Sequence, residues 1–329
     1  MKELIKALVE TYGPAGSEDQ VRELIGTQIA GHADSVRVDA LGNLIATVRG
    51  TGGGQRIMLA AHMDEIGVIV SHVDEKGFLR FQPVGGLFPQ TLVGGRVCFA
   101  NGLRGVIGAE QKDVGELPRL DQLFIDVGAR SKDSVPVRVG DVACIDRPFV
   151  DLGERLVAKA FDDRIGCAVL IQAMRELGAT PHEVHFVFTV QEEVGLRGAQ
   201  TSAYGIDANL GIALDVTRTG DTPQARTMEV ALGAGPAIKV KDSGMLAHPG
   251  VRRWMVDAAR RIGIPYQLEV LERGSTDAMA MQTSRAGVPV GVLSIPTRYV
   301  HTPSEMIDYQ DVLNSVRLLV ELLRQPVSL

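Results

Sequence analysis

Aromatic residues make up only 5% of this 329-residue chain, cysteines number three, and basic charge is outweighed, the net charge being −6. Each shortage removes a class of function. Cys98, Cys144 and Cys167 are far apart, with no Cys-x-x-Cys pair. That pattern excludes a thiolate zinc site and a disulfide framework, and fits reduced thiols in a reducing compartment. With Lys and Arg scattered singly, nothing offers a phosphate backbone the basic face it needs, so no nucleic-acid partner is expected. No apolar run approaches the roughly 18 residues that span a bilayer, so no membrane partner is expected either. The opening MKELIKALVETYG mixes acids into its apolar positions and reads as an amphipathic helix rather than a signal peptide, which makes the expected location cytoplasmic. Gly52-Gly53-Gly54 is not followed by Gly-Lys-Ser/Thr, so it is no phosphate loop. There is no Gly-x-Ser-x-Gly elbow, and Cys167 falls inside a predicted helix, which argues against a serine or cysteine nucleophile.

What is present is the balance of a globular protein, with 45% hydrophobic and 22% charged residues. The first stretch predicts a helix over about 2–12 and another after Ser17, where Ser17 and Gln20 form a capping-box pattern. SVRVDA and LIATVRG read as an extended pair turning at Leu41-Gly42-Asn43, and IMLAA as a buried strand ending at His62. Short alternating runs such as GVIVSHV, FLRFQPV and LFIDVGA then follow, separated by glycines. Beyond them helix and strand alternate again, in EVHFVFTV, LGIALDV, VRRWMVDAARRIG, TDAMAMQTSRAG, VPVGVLSI and DVLNSVRLLVELLRQ. The expected fold class is therefore α/β, a mainly parallel, helix-covered sheet interrupted by a β-rich insert. The expected divisions are 1–67 and 154–329 for the α/β domain and 68–153 for the insert.

Acids and histidines gather where the predicted strands end. His62 and Asp64 follow IMLAA, Glu192 and Glu193 follow EVHFVFTVQ, Asp215 ends LGIAL, and His301 lies beyond GVLSIPTRYV. Asp162 and Asp163 open the helix after the insert. Ligand sites of open α/β sheets lie at the carboxyl ends of strands. Imidazole and carboxylate suit zinc or a similar divalent ion, and hydrolysis by two ions needs a bridging carboxylate and a general base besides. Each residue also has a bland reading. Asp162 or Asp163 alone would cap the helix, paired glutamates are usually a solvated turn, and a single histidine is more often a hydrogen-bonded core residue. Their joint placement favours the metal. His32, His72, His182, His185 and the loop residue His248 lack carboxylate neighbours at strand ends and stay with the bland reading.

DALGNLIA, AAHMDEIG, RFQPVGG, FIDVGARS, AFDDRIGC, FTVQEEVGLRGA, ALDVT, GSTDAMAMQ and PTRYVHTPSEMID, running through nearly the whole chain, resemble the tetrahedral aminopeptidases. These are dinuclear metallopeptidases, some of them labelled glutamyl aminopeptidases or cellulases. Ser275 stands where that family more often has a second glycine. The resemblance implies a phosphorylase/hydrolase-like domain with an inserted dimerisation domain, and a homo-oligomer in which dimers build a tetrahedral dodecamer. It further implies two divalent metal ions per chain, zinc first, with cobalt and manganese compatible. Asp162 would bridge them, His62 and Asp215 would complete one, and Glu193 and His301 the other. Glu192 would be the general acid/base, and Asp64 would orient the His62 imidazole. The expected reaction is hydrolysis of the N-terminal bond of peptides with a free N-terminus, by a metal-bridging hydroxide.

Three other readings compete. A metal-dependent carboxypeptidase or deacylase shares the chemistry but would accept a blocked N-terminus. A glycosidase could use two carboxylates but leaves His62, Asp215 and His301 without a task. A peptide-binding assembly protein would hold no metal. Because no candidate ligand lies in 68–153, the insert is expected to serve assembly and not metal ligation.

Overall fold

The computed structural model describes residues 1–110 and 117–329. The chain opens with α1 (Lys2–Glu10), α2 (Asp19–Ile29), β1 (Ser35–Val38), β2 (Leu44–Val48) and β3 (Arg56–His62). Next come β4 (Gly67–Val73), β5 (Leu79–Val84), α3 (Pro89–Leu92), β6 (Arg96–Phe99), β7 (Arg104–Ala109), β8 (Leu123–Asp126) and β9 (Val142–Ile145). The remainder is β10 (Val150–Asp151), β11 (Arg155–Ala158), α4 (Phe161–Glu176), β12 (Glu183–Thr189), α5 (Arg197–Ile206), β13 (Leu210–Thr217), β14 (Ala237–Lys241), α6 (Pro249–Arg261), β15 (Gln267–Val270), α7 (Asp277–Gln282), β16 (Val290–Arg298), β17 (Glu305–Asp308) and α8 (Tyr309–Arg324).

One large sheet runs β1-β2-β12-β3-β13-β16-β17-β11-β10, with β14 and β15 branching from β16. Its centre, β12-β3-β13-β16, is parallel. Those strands are apolar nearly throughout because both faces are covered. On one face Leu59, Phe186, Ile212 and Leu293 pack with the buried side of α4 and α8; on the other Met58, Ala60, Val187 and Val292 meet residues of α5 and α7. The sheet is mixed rather than mainly parallel. β1–β2, β2–β12, β14–β16, β16–β17, β11–β17 and β10–β11 are antiparallel pairs. Short connections explain several of these, since a parallel neighbour needs a long crossover. The helix–strand alternation seen in the sequence describes only the centre.

Two local expectations are corrected. The second helix starts at Asp19 after Glu18, with no side-chain cap, so Ser17 does not form the capping box. The Glu18 carboxylate instead accepts the N–H groups of Gly16 and Gln191. The TDAMAMQTSRAG helix is shorter, Asp277–Gln282, capped by Thr276. The turn between β1 and β2 is held by Asp39, whose Oδ1 accepts the N–H groups of Leu41, Gly42 and Asn43.

Between β3 and β10 the chain closes an antiparallel barrel, β4-β5-β8-β7-β6-β9. Val68, Phe81, Val97, Ile107, Ile125 and Ala143 fill its interior, so this segment has a core of its own. Behind the sheet, the fully buried Arg164 of α4 donates to the carbonyls of Leu8 (2.7 Å), Thr11 (3.1 Å) and Gly13 (3.0 Å), tying the end of α1 to the helix that follows the barrel. Among the described residues no helix is long and apolar enough to cross a membrane.

Candidate metal centre

The carboxyl ends of β3, β12, β13 and β16 deliver most of the candidates, because parallel strands finish at the same edge. β3 ends on His62, β12 runs into Glu192 and Glu193, Asp215 is near the end of β13, and His301 follows β16. Asp162 enters from the first turn of α4, where it and Asp163 have non-helical backbone angles and share a cis peptide. The ligand atoms of His62, Asp162 and Asp215 lie within 4.8 Å of one another, and so do those of Asp162, Glu193 and His301. Asp162 belongs to both groups: its Oδ1 is 3.0 Å from His62 Nε2 and its Oδ2 3.1 Å from His301 Nε2.

The two aspartates divide the readings open to them. Asp163 caps the helix: its Oδ1 accepts the Gly166 N–H at 3.1 Å, and its Oδ2 accepts the His62 N–H at 3.2 Å. A Cβ on Gly166 would fall 2.4 Å from that carboxylate, so only glycine fits there. Asp162 is left free for the cluster.

Both imidazoles have fixed tautomers. His62 Nδ1 lies 3.1 Å from the carbonyl oxygen of Asp64, and His301 Nδ1 lies 2.9 Å from that of Gly86. A carbonyl oxygen only accepts, so each Nδ1 carries the proton and each Nε2 faces the carboxylates with its lone pair or a second proton. Burial opposes the charged rings, yet Asp162 and Asp64 hold the His62 imidazolium well above its ordinary range, and Asp162 and Glu193 push His301 up to about 12. Glu193 Oε1, 3.2 Å from His301 Nε2, is buried with no hydrogen-bond partner. Acceptors converging from five side chains call for positive charge among them, and their oxygen and imidazole nitrogen atoms are what a divalent transition ion prefers. The donor set fits a metal.

Asp64 and Glu192 occupy different positions from those five. The Asp64 carboxylate is fully buried; its Oδ1 is 3.4 Å from His62 Nδ1, farther than the residue's own carbonyl. Its two oxygens accept the backbone N–H groups of Glu192 (3.0 Å) and Glu193 (3.2 Å). Glu192 Oε2 approaches His62 Nε2 only to 3.9 Å, and burial pushes its carboxyl well above the usual carboxylate range.

Residues not singled out in the sequence complete the support. Glu305, at the start of β17, accepts the N–H of Asp162 at 3.0 Å and that of His301 at 2.8 Å. The second contact holds His301 in the left-handed region, φ +64°, where a non-glycine residue is uncommon. The barrel also reaches the site, although none of the clustered ligand atoms comes from it. Its Gly85-Gly86 loop supplies the acceptor for His301, and a Cβ on Gly86 would lie 2.8 Å from His301 Nδ1. A cavity of about 340 Å³ has Phe88, Arg218, Arg298, Tyr299, Val300 and Thr302 among its walls, the last two flanking His301 in the chain. The Ser275 hydroxyl donates to Asp242, 3.3 Å away. The remaining histidines are elsewhere: His182 is a buried residue satisfied by Gln55 and Gln325, and His248 caps α6.

Comparison with known proteins shows the family. The model of the family described as M42 glutamyl aminopeptidase matches residues 42–318. A putative aminopeptidase of Acetivibrio thermocellus is 48% identical over 325 residues, 98% of this chain and 98% of that protein. The structure of aminopeptidase APDkam598 from the archaeon Desulfurococcus kamchatkensis superposes with a TM-score of 0.95 at 42% identity, covering 99% of this chain and 94% of the other. The Pyrococcus horikoshii TET1 peptidase, which can assemble into a tetrahedron or a large octahedral shell, superposes with a TM-score of 0.89 at 33% identity over 98% and 99% of the two chains. With most of its length matched by the family model and nearly all of it shared with these relatives, the chain belongs to the M42 glutamyl aminopeptidase family.

Proposed function

We propose that this protein is a metal-dependent aminopeptidase that hydrolyses the N-terminal bond of peptides, with His62, Asp162 and Asp215 holding one divalent ion and Asp162, Glu193 and His301 a second. The observation that carries the reading is Asp162, whose two oxygens each face the Nε2 of a different histidine. When bound, two such ions supply Lewis acidity toward the peptide carbonyl and make water acidic near neutral pH.

The chain's own groups do the rest. Glu192 stands close enough to the cluster to take a proton from water and return it to the departing amine. Its raised proton affinity in the buried pocket suits it to both halves of that shuttle. Asp64 fixes the turn that aims Glu192 and Glu193, and Glu305 fixes the backbone of Asp162 and His301.

The barrel, which starts at Gly67 and otherwise falls in the expected insert 68–153, serves as the dimerisation module of a tetrahedral homo-oligomer. Support comes from its separate core and from the assembly of the TET1 relative. A protein that is monomeric at micromolar concentration by light scattering would refute this part alone. The test of the activity is chelation followed by reloading. Cleavage of an aminoacyl p-nitroanilide should vanish and return with about two ions bound per chain, while the N-acetylated substrate stays intact throughout. Cleavage of the acetylated substrate would favour a deacylase, and metal content near zero would sink the proposal.

A further inference from the structure

Four consecutive backbone amides just past β12, Val190 to Glu193, each donate to a side chain from elsewhere in the chain. The Val190 N–H reaches Asn43 Oδ1 at 3.0 Å and the Gln191 N–H reaches Glu18 Oε1 at 3.1 Å. Those of Glu192 and Glu193 go to Asp64. The three acceptors come from different places: Glu18 precedes α2, Asn43 precedes β2 and Asp64 follows β3. The carbonyls of the stretch are used in the other direction. Val190 accepts from Gly198, Gln191 from Arg197, and Glu192 from Gly195 and Leu196. The turn that carries Glu192 is therefore gripped on both sides. Glu18 is the least expected of these acceptors, because its carboxylate does not serve its own helix. It occupies the N-cap position of α2 and makes no cap bond there. Its Oε1 accepts the Gly16 N–H at 2.7 Å together with that of Gln191, and the residue is buried. Gln191 has φ +56°, in the left-handed region where a non-glycine residue is uncommon.

We infer that Glu18 is a positioning residue for the reaction, fixing through the Gln191 N–H the turn that aims the Glu192 carboxylate. The inference rests on the reading of Glu192 as the proton shuttle. Asp64 grips Glu192 and Glu193 themselves, and Glu18 holds the peptide by which the chain enters them. A general acid/base works only within hydrogen-bond reach of the proton it moves, so a small swing of this turn is felt in the rate. Neither Glu18 nor Gln191 belongs to the two ligand groups, and Glu193 keeps its own contacts with Asp64 and His301. Loss of the Glu18 contact should therefore lower kcat while leaving KM and the bound ions as they are. Burial, and after it the Asp64 carboxylate, push the Glu18 carboxyl up to about 7. Both protonation forms keep an oxygen that accepts, so the contact depends on the reach of the side chain and not on its charge.

Two variants separate reach from charge. Glu18→Asp keeps the charge and places a preferred N-cap residue before α2, so the helix is retained, but its carboxylate is one methylene short of Gln191. Glu18→Gln removes the charge and keeps an Oε1 that accepts both N–H groups. With metal loaded, kcat on an aminoacyl p-nitroanilide should fall about 10- to 100-fold in Glu18→Asp and stay near the unaltered value in Glu18→Gln. KM and ions per chain should match the unaltered protein in both. Hydrogen exchange read by mass spectrometry supplies a measure apart from activity: residues 190–193 should exchange faster in Glu18→Asp and at the unaltered rate in Glu18→Gln. Full turnover in Glu18→Asp, an equal loss in both variants, a loss that follows the ion count, or the same exchange in all three proteins would each overturn the inference. An unaltered protein without peptidase activity would refute the proposed function instead, and the exchange comparison would still decide whether Glu18 holds Gln191.

Discussion

The backbone N–H of Glu192 donates to Oδ1 of Asp64 at 3.0 Å, joining the loop after β3 to the loop after β12. The same carboxylate receives the N–H of Glu193 through its other oxygen. A residue two places from the first histidine therefore sets the direction of both glutamates.

Asp64→Asn should for that reason have two separable effects. An amide has one acceptor in place of two, so one of the two N–H groups loses its partner and the turn shifts. Losses of such supporting contacts typically cost about 10- to 100-fold in metal affinity or activity. Excess metal should restore occupancy but not the full turnover rate, since Glu192 stays misdirected. A variant fully rescued by metal would limit Asp64 to its effect on His62.

For Glu192→Gln we expect turnover to fall by about 100- to 10,000-fold, the usual worth of a general acid/base. Metal content should stay near that of the unaltered protein, because Glu192 lies outside both ligand groups. Elemental analysis alongside initial rates reads both quantities. Loss of an ion would mean that Glu192 and Glu193 have been given each other's tasks.

Gly86→Ala tests the reach of the barrel. The added methyl would lie 2.8 Å from Nδ1 of His301 and must turn the ring or push the loop away. Occupancy should fall from two ions toward one per chain, with the His62–Asp162–Asp215 group keeping its ion. Equal loss from both groups would show that the barrel has no selective hold on His301.

Tyr12→Phe addresses the seam between barrel and α/β body. Burial pushes the Tyr12 phenol up to about 12, while its hydroxyl donates to the Val142 carbonyl. The folded-state value is raised above the unfolded value near 10. Its contribution is thus fully present below about pH 10 and is lost as pH rises toward 12. In an alkaline ultraviolet titration of tyrosinate, the late component should vanish in the variant. The lost hydrogen bond should also cost about 1 kcal/mol at neutral pH. An unchanged titration curve would place the late component on another tyrosine.

Much of this architecture was legible in the sequence, for identifiable reasons. Apolar runs mark strands buried on both faces, and acids or histidines just past such runs mark the active edge of a parallel sheet. His62, Asp162, Glu193, Asp215 and His301, chosen in this way and by resemblance, are brought together by the fold. What was hidden acts through the backbone. Glu305 accepts N–H groups, as does Asp64, chosen for His62 but bonded to the backbone of Glu192 and Glu193, and an accepting carboxylate looks in a sequence like any other acid. Gly86 contributes a carbonyl to a histidine 215 residues away, a contact without any residue-type signature. Strand direction at the sheet margins was hidden as well. It depends on whether a connection turns back at once, as between β16 and β17, and not on the composition of the strands.

Arg164 gives the molecule an order of events during synthesis. Its guanidinium donates to the carbonyls of Leu8, Thr11 and Gly13, the first of them 156 positions earlier in the chain, and pairs with Glu65. Helix α1 leaves the ribosome first; Gly13 finds the Glu65 N–H before the barrel is made, but the carbonyls of Leu8 and Thr11 gain the guanidinium only once α4 has followed. The barrel, made in between and filled by its own side chains, can close while α1 waits. When Arg164 docks, it adds its bonds to those that Glu65 already makes with Gly13 and Ala15, and Asp162 lies two residues before it. A nascent chain halted before α4 would accordingly carry a finished barrel and a loose first helix, which limited proteolysis of stalled chains can display.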